Sequence, residues 1–346
     1  MKTDLLVKHP EALLRSLIRC RNYECLKPED KIYSLLGIHR AIHGPLSPQD
    51  KLYPNYSLHA PQCVRLYVDV AVHLLKQGSD LTLLTVAEGE DFRNFENLPS
   101  WVPDWSYRKE ESLGLGMTVY ERFNAAGSYK REISFSEDER ILFVEASRLD
   151  NIVEVGETKE EVYTCEPFPR WLQLLSGLKP VYHTGESRLE VFWRTLAKNT
   201  SKEGFYPAPG RFAAGFSEWL REKLEKLPQN SQEEARQLFE ADATYENTTH
   251  PDILARLASE FDIQYSHALY QRLFSTSRGY LGLGSSSVKG EKDSVWIVKG
   301  SRVPLIFRKT EQVGLYKLIG GSYVHGFMQG EALQIAGLNF ERIGLL

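Results

Sequence analysis

Cysteine is scarce in this chain. Cys20, Cys25, Cys63 and Cys165 are the only four in 346 residues, and they lack the dense, even spacing of a secreted disulfide scaffold. The reading is of reduced thiols and a cytoplasmic location. No sign of charge dominates either: 42 basic residues against 46 acidic ones leave a net charge of −4, which excludes a basic-patch binder and predicts no nucleic acid and no membrane as partner. Nowhere do apolar residues run to the roughly 20 that span a bilayer as a helix. The opening MKTDLLVKHPEALLRSLIRC interrupts its apolar residues with Lys8, His9, Pro10, Glu11 and Arg15, so it does not read as a signal peptide. There is also no internal repeat and no low-complexity tract.

What the chain does have is material for a large core, 42% hydrophobic and 11% aromatic residues, enough to divide between two or three lobes. Leu13, Leu14, Leu17 and Ile18 keep helical spacing and predict a short amphipathic helix over residues 11–18. In CLKPEDKIYSLLGI, Pro28, Glu29 and Asp30 suit a first helical turn, Ile32, Leu35 and Leu36 face inward, and Gly37 is placed to stop the helix. A broad apolar stripe from Val64 to Leu75 predicts a buried helix over residues 57–77. Residues 132–156 then read as strand, turn and longer strand. From Phe168 to Phe274 helical patterning returns. Phe212, Phe216, Trp219, Leu220 and Leu224 share one face there, opposite a solvated face of Glu218, Arg221, Glu222, Glu225 and Lys226. Four β-rich runs close the chain, RLFSTSRGYLGLG, DSVWIVKG, RVPLIFRKT and GLYKLIGGSYVHG, a pattern of a small barrel or tightly curved sheet.

The predicted class is α+β, mostly helical, with a small antiparallel β-barrel or curved sheet built from segments 132–156 and 272–326. The division expected is a helical region 1–128, a first β segment 129–160, a helical insertion 161–271 and a carboxy-terminal β segment 272–346. Because a lone hairpin is at best marginally stable in water, the early strands are expected to pair with the late ones.

Three side chains stand out as candidate ligand contacts: Trp101, Trp105 and His325. In LPSWVPDWS the two indoles flank a Val-Pro-Asp turn. They read either as a pin holding the loop on the helix of residues 57–77 or as an aromatic clamp on a ligand. Asp104 between them is expected to accept backbone hydrogen bonds. His325 lies between Tyr323 and Phe327 at strand spacing and reads as a core or rim histidine, with no serine, cysteine or carboxylate assignable to it as a catalytic partner. HRAIH places His39 and His43 four apart, but without a third ligand or a metalloprotease glutamate. Cys20 and Cys25 lack a second pair. Gly279, Gly282 and Gly284 lead toward another strand rather than a helix, which argues against a phosphate cradle. The expectation is therefore no catalytic residue, no metal and no cofactor.

Several landmarks, in order, resemble the fungal heterokaryon-incompatibility family in the region following its eponymous domain. They are the run Cys25 to Ile38, Pro54-Asn55-Tyr56-Ser57, Leu98 to Ser106, Gly279 to Gly284, Val303-Pro304-Leu305 and Tyr323 to Ala332. In that family the amino-terminal domain, related to Toll/interleukin-receptor domains, is thought to drive self/non-self recognition and cell death, and in related domains a glutamate cleaves NAD. Only about two dozen residues precede Cys25, and the family's tyrosine-x-tryptophan-glycine and cysteine-isoleucine-asparagine-glutamine elements are not found. The resemblance thus implies a non-enzymatic interaction or regulatory module with a protein partner, lacking the effector domain. Rival expectations are an enzyme of a fungal metabolic pathway with an apolar pocket at Trp101, Trp105 or the barrel, and a truncated, non-functional paralogue.

Overall fold

The computed structural model describes residues 12–44, 47–56, 60–107, 120–164, 169–226, 251–264 and 269–346, with a few isolated positions between 229 and 237. Among them are eight α-helices and nine strands, about 37% helix and 21% strand. The class is α+β, with more strand than a mostly helical protein carries.

Three helices come first. In α1 (Ala12–Cys20) the predicted stripe of Leu13, Leu14, Leu17 and Ile18 is buried. Helix α2 (Asp30–His43) opens where the Ile32 and Tyr33 amides reach the Glu29 carbonyl. Contrary to expectation, it passes through Gly37. That glycine is exposed, with open space where a Cβ would stand, so it costs the helix only about 1 kcal/mol, which burial of Ile32, Leu35 and Leu36 offsets. The side chains of His39 and His43, like Cys165 and Ser57, lie outside the described residues. Helix α3 (Ala60–Gln77) buries Tyr67, Val70 and Ala71 completely.

Strands β1 (Ile133–Phe135) and β2 (Leu142–Thr158) follow. Among the described residues, five helices come before the chain returns to the sheet: α4 (Lys159–Thr164), α5 (Pro169–Gly177), α6 (Arg188–Leu196), α7 (Arg211–Leu224) and α8 (Pro251–Gln264). A reciprocal capping box starts α4, with the Glu161 amide on Thr158 Oγ1 at 3.1 Å and the Thr158 amide on Glu161 Oε2 at 2.7 Å. The insertion is held by aromatic packing. Trp171, Phe192, Phe216, Trp219 and Phe261 form a chain of ring contacts, and α7 and α8 cross so closely that a Cβ on Gly215 would run into the Leu257 carbonyl.

The remaining strands are β3 (Gln271–Thr276), β4 (Leu281–Ser285), β5 (Asp293–Val298), β6 (Leu305–Lys309), β7 (Leu315–Gly321), β8 (Tyr323–Val324) and β9 (Glu341–Leu345). Pairings β2–β5, β5–β6, β6–β7, β7–β9 and β9–β2 close a five-stranded barrel, while the far half of β2 continues into β3, β4 and β8. At 17 residues β2 is long enough for both tasks, and its irregularity between Arg148 and Asp150 marks where it turns from one to the other. Two expectations about the barrel are corrected. It is mixed rather than antiparallel, because β7 and β9 run parallel. It also reaches past residue 326, because β9 is the strand that closes it; five residues whose large buried side chains are only Ile343 and Leu345, either side of a buried glycine, carry too short an alternation to stand out in the sequence.

The register shows which face is inside. The paired residues Val144–Ile343, Ala146–Val298, Trp296–Leu305 and Phe307–Leu318 all belong to the larger apolar cluster. Val295 and Ile306, on the opposite face, join Phe274 and Val324 of the outer strands in a second cluster. The larger cluster also takes in Leu273, Leu281, Leu283 and Tyr323 of the outer strands and the buried faces of the helices, so it joins the sheet to the helical parts of the chain.

Candidate functional site

The LPSWVPDWS loop is organised by residues just outside and inside it. Arg93 donates to the carbonyls of Gly89, Leu98, Pro99, Ser100 and Val102 at 2.5–3.3 Å, which uses all five of its N–H groups on backbone. Burial pushes its guanidinium down to about 10, against the opposing charges of Asp104 and Glu90. Asp104 accepts from the amides of Asn94, Phe95 and Ser106 at 2.8–3.0 Å and from the Ser106 hydroxyl at 2.5 Å. Arg21, arriving from the end of α1, donates to the carbonyls of Asp104, Val86 and Tyr107.

Trp101 is 0% and Trp105 1% exposed. The Trp101 Nε1 donates to the Arg140 carbonyl at 3.0 Å and its ring lies 5.8 Å from Phe135, which ties it to the β1–β2 hairpin, and both indoles share one apolar cluster with Tyr67, Val70 and Ala71 of α3. Trp105 Nε1 is buried without a hydrogen bond, and the Arg21 guanidinium stands 5.8 Å from its ring. A cavity of about 250 Å3 opens beside this loop, walled by Leu98, Pro99, Ser100, Arg140, Lys317 and Ile319, among others, and by neither indole. Its charges are largely committed, Lys317 to Glu90 at 2.7 Å and Arg140 to the Asn97 carbonyl at 2.6 Å.

His325 lies far along the chain from this loop. It follows β8, its amide on the Leu281 carbonyl at 3.0 Å. Tyr323 Oη stands 3.0 Å from its Nδ1 and Glu186 Oε2 stands 2.6 Å from its Nε2. Both ring nitrogens are therefore engaged by side chains. The carboxylate comes from the turn ahead of α6, whose Tyr182 donates to the His325 carbonyl and accepts the Leu281 amide. Burial alone would raise the Glu186 carboxyl, but hydrogen bonds with His325 and Thr184 and the charges of His325 and Arg194 hold it at about 2. His183, in the same turn, stacks on Phe327 with centroids 5.0 Å apart and meets Tyr280 edge-on. Gly326, at φ +81°, lets the ring in: a Cβ there would stand 2.7 Å from His183 Cε1.

The structure thus keeps the tryptophan pair together and His325 apart from it, and gives His325 partners the sequence did not suggest. Glu186, His183 and Arg194 carry no motif and stand some 140 positions away. Among the described residues no group of three His, Cys, Asp or Glu is placed to hold a metal, and no helix is long and apolar enough to cross a membrane.

A family model of the Het-6 beta-barrel domain matches residues 113–337, more than half of the chain. The chain belongs to the Het-6 beta-barrel domain family. The Het-6 match begins ahead of β1, takes in the whole helical insertion and the His325–Glu186 pair, and stops short of β9. The LPSWVPDWS loop lies outside it. No curated protein and no solved structure matches the chain.

Proposed function

We propose that this chain is a non-enzymatic interaction and regulatory module of a heterokaryon-incompatibility-type protein, working through contacts with a protein partner. The observation that carries the reading is where its chemistry goes and what it leaves exposed. His325 has both nitrogens engaged, Trp101 and Trp105 are buried, and every N–H of Arg93 is spent on backbone. These residues act by holding the fold. Around the start of α2, by contrast, Leu26 is 96%, Tyr23 70% and Tyr56 63% exposed, with Tyr56 leaning on Tyr33 of α2 at 5.3 Å. Exposed aromatic and aliphatic side chains gathered at one place are the material of a protein contact. The cavity beside Ser100 argues less well for an enzyme, since about 250 Å3 falls below the roughly 300–1,000 Å3 of ordinary small-molecule sites.

The test is a purified partner. A protein cross-linked to the full chain in cells is identified, purified and titrated against the wild type and against Leu26→Asp and Tyr56→Ser, whose exposed side chains leave folding intact. The expectation is a loss of about tenfold or more in affinity, ~1.4 kcal/mol, with unchanged melting. Equal binding by folded variants overturns the reading, as does turnover of NAD above a heat-killed control.

A further inference from the structure

We propose that the turn of residues 181–187 is a proton-operated clasp between the helical insertion and the outer strands β4 and β8, in which His325 and Glu186 form the fixed side and His183 the side that lets go on acidification. The proposal does not depend on the partner reading. The turn joins two parts of the fold: it leads into α6 of the insertion, yet its Tyr182, His183 and Glu186 each reach residues of the 280–327 segment, at β4 and just after β8.

The two histidines stand in opposite surroundings, one against a carboxylate and one on aromatic faces. The Nε2 of His325 faces the Glu186 carboxylate at 2.6 Å, so a positive charge on that ring meets an anion. Behind Glu186, Arg194 of α6 is 3.3 Å from its Oε1 and is itself shared with Glu190 at 2.6 Å. His183 has no such partner. It sits on the apolar faces of Phe327 and Tyr280, and the charged or titratable groups facing it are His325, Glu186 and the phenols of Tyr182 and Tyr280. Burial, and then the proximity of His325, lower its affinity for a proton below that of a free histidine; its hydrogen bond to the His325 backbone and the Glu186 charge only partly oppose this. The sign follows. A histidine whose folded value is depressed leaves stability intact above its unfolded value of 6.5, and loses it as pH falls from there toward the folded value, because the opened turn takes up the proton more readily. The stacked ring leaves Phe327 while the His325–Glu186 pair keeps α6 attached.

Hydrogen exchange of the full chain reads this directly, with each rate divided by the intrinsic rate at that pH. Between pH 7.5 and 5.5 the amides of residues 181–187 are expected to lose protection by about twofold or more, while β5 and β6 stay protected. His183→Phe keeps a ring on Phe327 but carries no proton, so its protection should be the same at both pH values. Wild-type protection that does not change with pH overturns the proposal. So does a folded His183→Phe protein that loses protection as the wild type does.

Discussion

The LPSWVPDWS loop and the His325 clasp are both knots of hydrogen bonds around a carboxylate, and they differ in how they are made. Asp104 takes its donors from residues 94 to 106, and Arg93 binds carbonyls from 89 to 102; apart from Arg21, this knot is tied within one short stretch of chain. Glu186 reaches across 139 positions to His325. The first knot sits under indoles 0–1% exposed, while the Glu186 side chain is 32% exposed. Burial makes the first costly to break. Partial exposure makes the second cheap to open and responsive to protons. A fold stabilised by the one and adjusted by the other is what the comparison teaches.

The sharpest way to break the contrast is through the indoles. Trp101→Ala removes a fully buried ring and leaves a cavity among Phe135 and its neighbours, with an expected loss of about 3–5 kcal/mol, measured as the shift of the urea midpoint at constant slope. Trp101 and Trp105 variants to Ala that both unfold at the wild-type midpoint would remove the structural role and restore the ligand clamp. Next in size is Asp104→Ala. It leaves the Asn94, Phe95 and Ser106 amides without their anionic acceptor, and hydrogen bonds to a charged group of this kind are worth about 1.5–3 kcal/mol. A loss under half a kcal/mol in the same urea titration would mean that the loop holds without it.

These expectations also mark what was legible beforehand. Asp104 could be read as a turn acceptor because its donors are sequence neighbours. Arg93 could not, since its partners are carbonyls, which every residue has. The barrel announced itself in the alternation of DSVWIVKG and RVPLIFRKT, but β9 did not, because five residues carry too little pattern and its place beside β7 is set only when the ring closes. Tyr323 and Phe327 flanking His325 were visible by strand spacing. Glu186 was not, because nothing local in ESRLE distinguishes a carboxylate that caps or solvates a helix from one aimed at a distant imidazole. The same limit applied to Gly37: glycine reads as a stop, and only the packing of α2 shows that the helix outlasts it.

A smaller effect separates the two indoles themselves. Trp101→Phe forfeits the 3.0 Å bond to the Arg140 carbonyl, whereas Trp105→Phe removes an Nε1–H that bonds nothing. Both shrink a buried ring similarly, so Trp101→Phe should be the more destabilising by about 1 kcal/mol. Equal midpoints for the two variants would show that the hairpin carbonyl finds another donor.

The smallest expected effect belongs to the clasp, and its pH dependence is its signature. The Glu186 carboxyl is held down at about 2, from an ordinary 4.5, so the anion is preferred in the fold. Its contribution is fully present above pH 4.5 and disappears as pH falls from there toward 2, where folded and unfolded states are both protonated. Partial exposure screens the pair, and the loss for Glu186→Gln at pH 6 is expected to be about 1 kcal/mol. The difference from wild type should shrink below pH 4.5, as read by paired urea titrations at pH 6 and pH 3. A variant whose deficit is as large at pH 3 as at pH 6 would mean that the shape of residue 186, and not its charge opposite His325, fastens the turn to the outer strands.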